Sequence, residues 1–276
     1  MKKVLSILSA VAVLFGAASC SKDNLGKIKE AGTVVNPLNT ITVTMGSNTK
    51  VYINPELKPV FEVRDVIFGW DANGTTYEYT CTESSEDVAT FTRTSSGAPS
   101  SEEGTIVNLV YAPGYSIGDI IDNSLRVNMV VQMGLPIVMH TSGTVDDEGI
   151  CKVTFQNDVS IVDIKDAVLP EAEEGEEYAI SFECTNTVLN FYLEEEGSID
   201  VTPEETSMIT SQELARVGAD SKISKKLAVP ASDGEVEVII TATGPKGIYK
   251  FSAGTKNIEE GKYIKVYDKE FTLDQQ

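Results

Sequence analysis

The feature of this 276-residue chain that most constrains its fold is a hydrophobic alternation with a period of two. Apolar and polar side chains alternate in short runs that are rich in β-branched and aromatic residues. Each run is bounded by Gly, Pro, Asn, Asp or Ser. This pattern is typical of half-buried β-strands. The predicted strands are Ile41–Met45, Thr75–Thr80, Val88–Phe91, Ile106–Tyr111, Leu125–Val130, Lys152–Phe155, Val159–Ile164, Tyr178–Cys184, Val188–Leu193, Val236–Ile240, Ile248–Phe251 and Tyr263–Tyr267. Many short strands at near-regular spacing predict an all-β fold made of sandwiches.

One helix is predicted within this pattern. Thr202 is a good N-cap, Pro203 suits the first helical position, and Glu205 completes a capping box at the third. The helix would run to about Val217 and end at Gly218. Because its apolar face is narrow, we expect it to lie over the end of a sheet.

The N-terminus predicts export and lipid attachment. Two lysines precede the apolar run Val4–Phe15, and small residues lead from it to Cys20. This is a secretory signal, too short to span a bilayer. Its ending resembles the lipobox of bacterial lipoproteins, in which cleavage between Ser19 and Cys20 leaves a cysteine that is acylated. An ordinary signal cleaved near Ala18 is the alternative. Two or more acyl chains, such as palmitate, would hold the mature protein on a membrane without crossing it.

The length remaining after export suits two domains. We predict a signal peptide at 1–19, a polar tether at 20–39, an N-terminal β-sandwich at 40–149 and a C-terminal β-sandwich at 150–276. The boundary falls in the polar, turn-prone segment Val145–Gly149. The net charge of −20 excludes nucleic acid as an expected partner, because phosphate recognition depends on clustered Lys and Arg.

The cysteines and the histidine do not predict a reactive or metal-binding site. With Cys20 acylated, Cys81, Cys151 and Cys184 form at most one disulfide and contain no CxxC pair. Buried free thiols are favoured over a Cys151–Cys184 bridge. His140 is the only histidine and is expected in a loop or at a strand edge. No catalytic or phosphate-binding motif occurs, so we expect no enzyme activity, no metal and no cofactor.

Three stretches together resemble a known family. Phe61–Ile67, followed by Tyr77–Tyr79 and Ala89–Thr92, is similar to the opening of the fimbrillin-like lipoproteins of Bacteroidales, which are related to type V pilins. The later landmarks of the resemblance, which extends over about residues 40–270, are Val110–Tyr115, Leu135–Met139, Lys152–Asn157 and Ile258–Tyr263.

The resemblance implies two transthyretin-like β-sandwich domains and export to the outer membrane as a lipoprotein. In polymerising members of the family a protease removes an N-terminal strand, and a strand from the next subunit fills the groove. An extended segment satisfies both the unpaired backbone and the apolar groove of an incomplete sandwich. A head-to-tail join of this kind propagates into a fibre.

Two departures from the family leave the stalk role open. Its stalk members are cut after arginine, but the first arginine after Cys20 is Arg64. Lys29 and Lys50 flank the candidate removable strand Ile41–Met45 and are the other candidate maturation sites.

The C-terminal segment after Tyr267 is short for a donor, although Phe271 and Leu273 alternate as donor-strand anchors would. The sequence therefore predicts a lipid-anchored fimbrillin-like protein of the cell outer membrane that acts in fimbrial assembly or adhesion. Its expected partners are the outer membrane, other fimbrillin-like subunits, and host or bacterial surface ligands. Stalk, anchor and non-polymerising roles all remain open.

The alternative is a surface glycan-binding lipoprotein of a nutrient uptake system. Trp70, Tyr77 and Tyr79 would form its carbohydrate platform, although aromatic residues at strand positions are more often core.

Overall fold

β-strands make up most of the described part of the protein, as the period-two pattern predicts. The structure is a computed structural model that describes residues 36–44, 61–129, 137–184, 187–204, 207–231 and 234–274. Its first strands are β1 (Thr40–Thr44), β2 (Val66–Trp70), β3 (Thr76–Ser84), β4 (Val88–Arg93), β5 (Ile106–Tyr111), β6 (Ile120–Ile121), β7 (Ser124–Asn128), β8 (Met139–Thr144), β9 (Cys151–Val153) and β10 (Gln156–Asn157).

The remaining elements continue in the same style. The strands are β11 (Val159–Val168), β12 (Glu177–Cys184), β13 (Val188–Leu193), β14 (Ile199–Glu204), β15 (Ser207–Thr210), β16 (Ala215–Arg216), β17 (Lys222–Pro230), β18 (Glu235–Gly244), β19 (Gly247–Asn257), β20 (Tyr263–Tyr267) and β21 (Thr272–Leu273). Two single-turn 3₁₀ helices, Ile117–Asp119 and Ala219–Ser221, are the helical elements of the described chain. Within that part, neither helix has the length or the apolar character of a membrane span.

The described strands form four sheets. The largest has eight strands in the order β10-β8-β5-β2-β3-β4-β1-β9. A four-stranded sheet has the order β14-β13-β7-β6, and a three-stranded sheet the order β17-β11-β20. The last follows the path β15-β12-β18-β19-β21, and β16 also pairs with β12. β1 with β9 and β11 with β20 are parallel pairs.

The eight-stranded sheet closes on itself through the hairpin between β8 and β9. β10 pairs with the start of β8, and a bridge joins Val145, just after β8, to Cys151 of β9. At the other end of the strand order, β9 pairs with β1. One face of the sheet is therefore enclosed.

Two hydrophobic cores lie on the opposite faces of this sheet. The first core fills the enclosed face and includes Ile41, Tyr79 and Phe91. The second core lies against the other face and the remaining three sheets. Alternation along β5 shows the division, because Leu109 points into the first core and Val110 into the second.

The predicted domain boundary near residue 149 stays a prediction. Strands from both sides of it share sheets, since β9 and β10 belong to the eight-stranded sheet and β7 pairs with β13.

The helix predicted from Thr202 to Val217 is wrong. This region forms β14, β15 and β16, and Val201–Pro203 pair with β13 in regular antiparallel register. The local capping signal is outweighed by backbone pairing and by burial of Ile209 and Ala215 in the second core. Pro203 fits because β14 is the edge strand of its sheet, where a missing N–H is tolerated.

His140 lies on β8 and contacts a buried carboxylate. Its Nδ1 atom is 2.7 Å from Oδ1 of Asp158, and the two side chains are 14% and 1% exposed. Burial raises the pKa of Asp158 to about 6, although hydrogen bonding to His140 opposes this. For His140, burial lowers the pKa, but Asp158, Glu260 and Asp200 outweigh it and the net pKa is raised.

These shifts predict that stability falls as pH rises from 5 to 8. A group with a raised folded-state pKa contributes stability below its unfolded-state value and loses it as pH passes the folded-state value; both groups act in this direction. General repulsion among the acidic side chains acts the same way, so the variant Asp158→Asn isolates the pair. Urea denaturation at several pH values should show a flatter pH profile for Asp158→Asn than for the wild type. An equal slope in both proteins would contradict the assignment.

Candidate functional site

β1 is an interior strand that joins two otherwise separate edges. It pairs antiparallel with β4 and parallel with β9. Ile41 and Val43 are fully buried in the first core, whereas Thr40, Thr42 and Thr44 lie on the outer face. The alternation TITVT produces this arrangement, because successive side chains of a strand point to opposite faces.

Side-chain hydrogen bonds hold both ends of β1. The Tyr79 hydroxyl donates to the Leu38 carbonyl at 2.8 Å, just before the strand. At its other end, Thr44 Oγ1 donates to the Val153 carbonyl at 3.2 Å.

Phe61 is a buried aromatic residue of the first core. Its side chain is 4% exposed and meets three rings edge-on, with centroids 5.1 Å from Phe91, 5.1 Å from Tyr111 and 5.6 Å from Phe155. Phe91 is also the cross-strand partner of Ile41. Phe61 and β1 therefore fill neighbouring parts of one core, and both precede β2 in the chain.

A tight turn links Phe61 to β2. The Asp65 amide donates to the Glu62 carbonyl, and the Glu62 amide donates to the Asp65 carboxylate at 2.8 Å. Tyr111 also hydrogen-bonds to Asp65, whose pKa is nevertheless raised because burial has the larger effect. Arg64 is exposed in this turn, with a φ of 90°, a backbone conformation that L-residues rarely adopt.

The described residues before Arg64 contribute one block of the first core. If residues up to Arg64 left, the first core would lose Leu38, Ile41, Val43 and Phe61. β4 and β9 would each gain an unpaired edge beside an apolar groove, which is the condition that favours strand addition.

Cys81, Cys151 and Cys184 are buried, and none of the three forms a disulfide. Cys151 lies in the first core opposite Ile41, and burial raises the pKa of its thiol to about 11. Cys184 lies in the second core, so the alternative Cys151–Cys184 bridge is not formed. Cys151 is therefore a natural reporter for the presence of β1.

Phe271 and Leu273 lie within the protein's own fold. Phe271 is 1% exposed in the second core, with its ring 5.7 Å from that of Phe251. Leu273 pairs with Tyr249 of β19. The donor role stays a prediction, and it would require this segment to leave β19.

Other candidate residues lie outside the described part of the chain. They are Ser19 and Cys20 at the signal junction and Lys29 and Lys50 as maturation sites, and these assignments stay predictions. Among the described residues, no group of three or more His, Cys, Asp or Glu side chains could hold a metal ion.

The carbohydrate platform considered for Trp70, Tyr77 and Tyr79 is wrong. All three side chains are fully buried. The Trp70 indole N–H donates to the Asn123 carbonyl, and the Tyr77 hydroxyl donates to the Trp70 carbonyl. Their polar atoms are therefore satisfied inside the protein.

Sequence reasoning missed Phe61 and Asp65 as parts of the site. Phe61 precedes a turn rather than lying within an alternating run, so no periodic signal marked it. The resemblance did include the stretch from Phe61 to Ile67, and this was the available signal.

The fold is similar to those of two solved structures from Bacteroides species. A candidate cell adhesion protein from Bacteroides ovatus superposes with a TM-score of 0.54 at 11% identity, covering 86% of this chain and 95% of its own. A candidate cell adhesion protein from Bacteroides uniformis has a TM-score of 0.52 at 15% identity, with 83% and 92% coverage. No protein-family model and no curated protein sequence matches the chain.

Proposed function

We propose that this chain is a lipid-anchored, fimbrillin-like cell-surface protein that acts in fimbrial assembly or adhesion by strand complementation. The observation that carries the proposal is the position of β1: it is interior to its sheet and precedes an exposed arginine in the turn before β2. The fold shared with two candidate cell adhesion proteins supports the adhesive role. The lipobox ending at Cys20 supports attachment to the outer membrane.

The proposed mechanism depends on the groove between β4 and β9 that β1 fills. Cleavage after Arg64 leaves β1 and Phe61 held only by non-covalent contacts. An extended segment of a neighbouring subunit with branched apolar side chains at alternate positions then replaces Ile41 and Val43. Its backbone pairs with β4 and β9 as β1 does, so no hydrogen-bonding group remains unsatisfied. The protein acts by binding, with no catalytic step.

Polymerisation after proteolysis tests the proposal. The purified mature protein is incubated with trypsin and analysed by SDS gel electrophoresis without boiling. We expect release of the N-terminal fragment and a ladder of multimers. Neither fragment release nor a ladder would contradict the polymerising role.

The donor segment is tested with Leu273→Asp, because Leu273 is only partly buried. This variant should lose the ladder, whereas Thr272→Asp at the exposed neighbouring position should keep it. An unchanged ladder in Leu273→Asp would exclude Leu273 as a donor anchor.

A further inference from the structure

The outer face of the four-stranded sheet carries ordered polar side chains around an exposed tyrosine. Tyr192 on β13 lies opposite Ser124 on β7 and Asp200 on β14. The next outward residue of β13, Asn190, lies opposite Arg126 and Thr202. The intervening residues, including Leu125 and Phe191, point into the second core, so these side chains face solvent.

Tyr192 is held across the sheet surface. Its hydroxyl donates to the carboxylate of Asp200 and accepts a hydrogen bond from Thr202 Oγ1 at 3.0 Å. Directly opposed residues of paired strands are only about 5 Å apart, so the tyrosine ring must lean toward β14 to make both bonds. The side chain is 39% exposed, which leaves ring surface open to solvent.

A second apolar side chain lies in the same row. Ile121 on β6 is opposite Ser124, and it is 67% exposed. Two strand spacings separate it from Tyr192, or about 10 Å. The row from Ile121 through Ser124 to Tyr192 thus has apolar surface at two places with a hydroxyl between them.

The polar groups of this face are fixed by one another. Asn190 Nδ2 donates to Glu204 Oε2 at 2.6 Å, and Arg126 Nε lies 3.3 Å from the same carboxylate oxygen. Planar donors and acceptors that are already oriented lose less conformational entropy when a ligand binds. Alternating donors and acceptors suit sugar hydroxyls, which act as both.

We propose that this face binds a neutral oligosaccharide. A sugar ring packs on Tyr192, and its hydroxyls bond to Asn190, Arg126 and Asp200. The charge argues for a neutral ligand, because the face has two carboxylates and one guanidinium and the whole chain carries −20. The eight-stranded sheet that holds β1 does not contribute to this face, so the inference does not depend on the proposed strand exchange.

Saturation-transfer NMR and calorimetry test this inference. The probes are neutral oligosaccharides of glucose, galactose, mannose and N-acetylglucosamine, with sialylated and sulfated oligosaccharides for comparison. A neutral oligosaccharide should bind, and Tyr192→Ala should weaken binding at least tenfold. Asn190→Ala should weaken it several-fold.

Two controls make the test decisive. Leu214→Ala removes a half-exposed apolar side chain between β15 and β16, away from this face, and should leave the affinity unchanged. Thermal unfolding of each variant verifies the fold, and Tyr192→Phe keeps the ring if Tyr192→Ala unfolds. Absence of neutral-oligosaccharide binding, preference for the anionic sugars, or equal affinity in Tyr192→Ala would overturn the inference.

Discussion

Replacing Phe61 with alanine should lower the free energy of unfolding by about 3–5 kcal/mol, the usual loss for a large aromatic side chain in a packed core. The physical reason is its contact with three rings, those of Phe91, Tyr111 and Phe155. These rings come from β4, from β5 and from the chain just before β10, so they cannot all move to fill the cavity. Urea denaturation measures the change.

The matched control lies in the same turn. Val63 is 57% exposed, so Val63→Ala should change the free energy of unfolding by less than about 0.5 kcal/mol. A loss below about 1 kcal/mol for Phe61→Ala would mean that the first core repacks to fill the space that Phe61 leaves. The groove left by β1 and Phe61 would then be too shallow to hold an added strand.

Replacing Ile41 with aspartate should remove β1 from its place in the sheet. Ile41 is fully buried between Phe91 and Cys151, where a carboxylate would lie in the apolar first core. An unpaired buried charge belongs to the few changes that destabilise by more than about 4 kcal/mol. Because the buried residues of β1 belong to the first core and not to the second, we expect β1 to detach while the second core stays folded.

Thiol labelling distinguishes detachment from complete unfolding. In Ile41→Asp, Cys151 should react with a maleimide under native conditions while Cys184 stays unreactive in the second core. The control Thr42→Asp places the same charge on the outer face, opposite Lys152, and should leave both thiols unreactive. Equal reactivity of Cys151 and Cys184 in Ile41→Asp would show that the fold does not separate in this way.

Much of the all-β fold could be predicted from alternation alone. β5 and β20 have the predicted bounds, and β1 was predicted because TITVT has one buried and one exposed face. β2 was not predicted from periodicity, because four of its five residues are buried and no polar side alternates with them. Its Gly69 allows close approach of β5, since a Cβ there would lie 1.8 Å from the Asn108 carbonyl oxygen.

The remaining features depend on contacts between distant segments. Thr202 and Pro203 predict a helix locally, but pairing with β13 decides the outcome. His140 contacts Asp158, yet neither residue belongs to a motif that would predict the pair. The face around Tyr192 assembles from four strands, so its composition becomes visible only in the folded sheet.

The most direct test of the central claim is maleimide labelling of Cys151 before and after cleavage at Arg64 with an arginine-specific protease. Peptide mapping by mass spectrometry assigns both the label and the cleavage sites, with Cys184 as the internal reference and Arg64→Gln as the control that cannot be cut at this residue. We expect an unlabelled Cys151 in the intact chain and in Arg64→Gln, and a labelled Cys151 once the fragment containing β1 has left. A fragment that stays bound and leaves Cys151 unlabelled after complete cleavage would contradict the claim that β1 is an exchangeable strand.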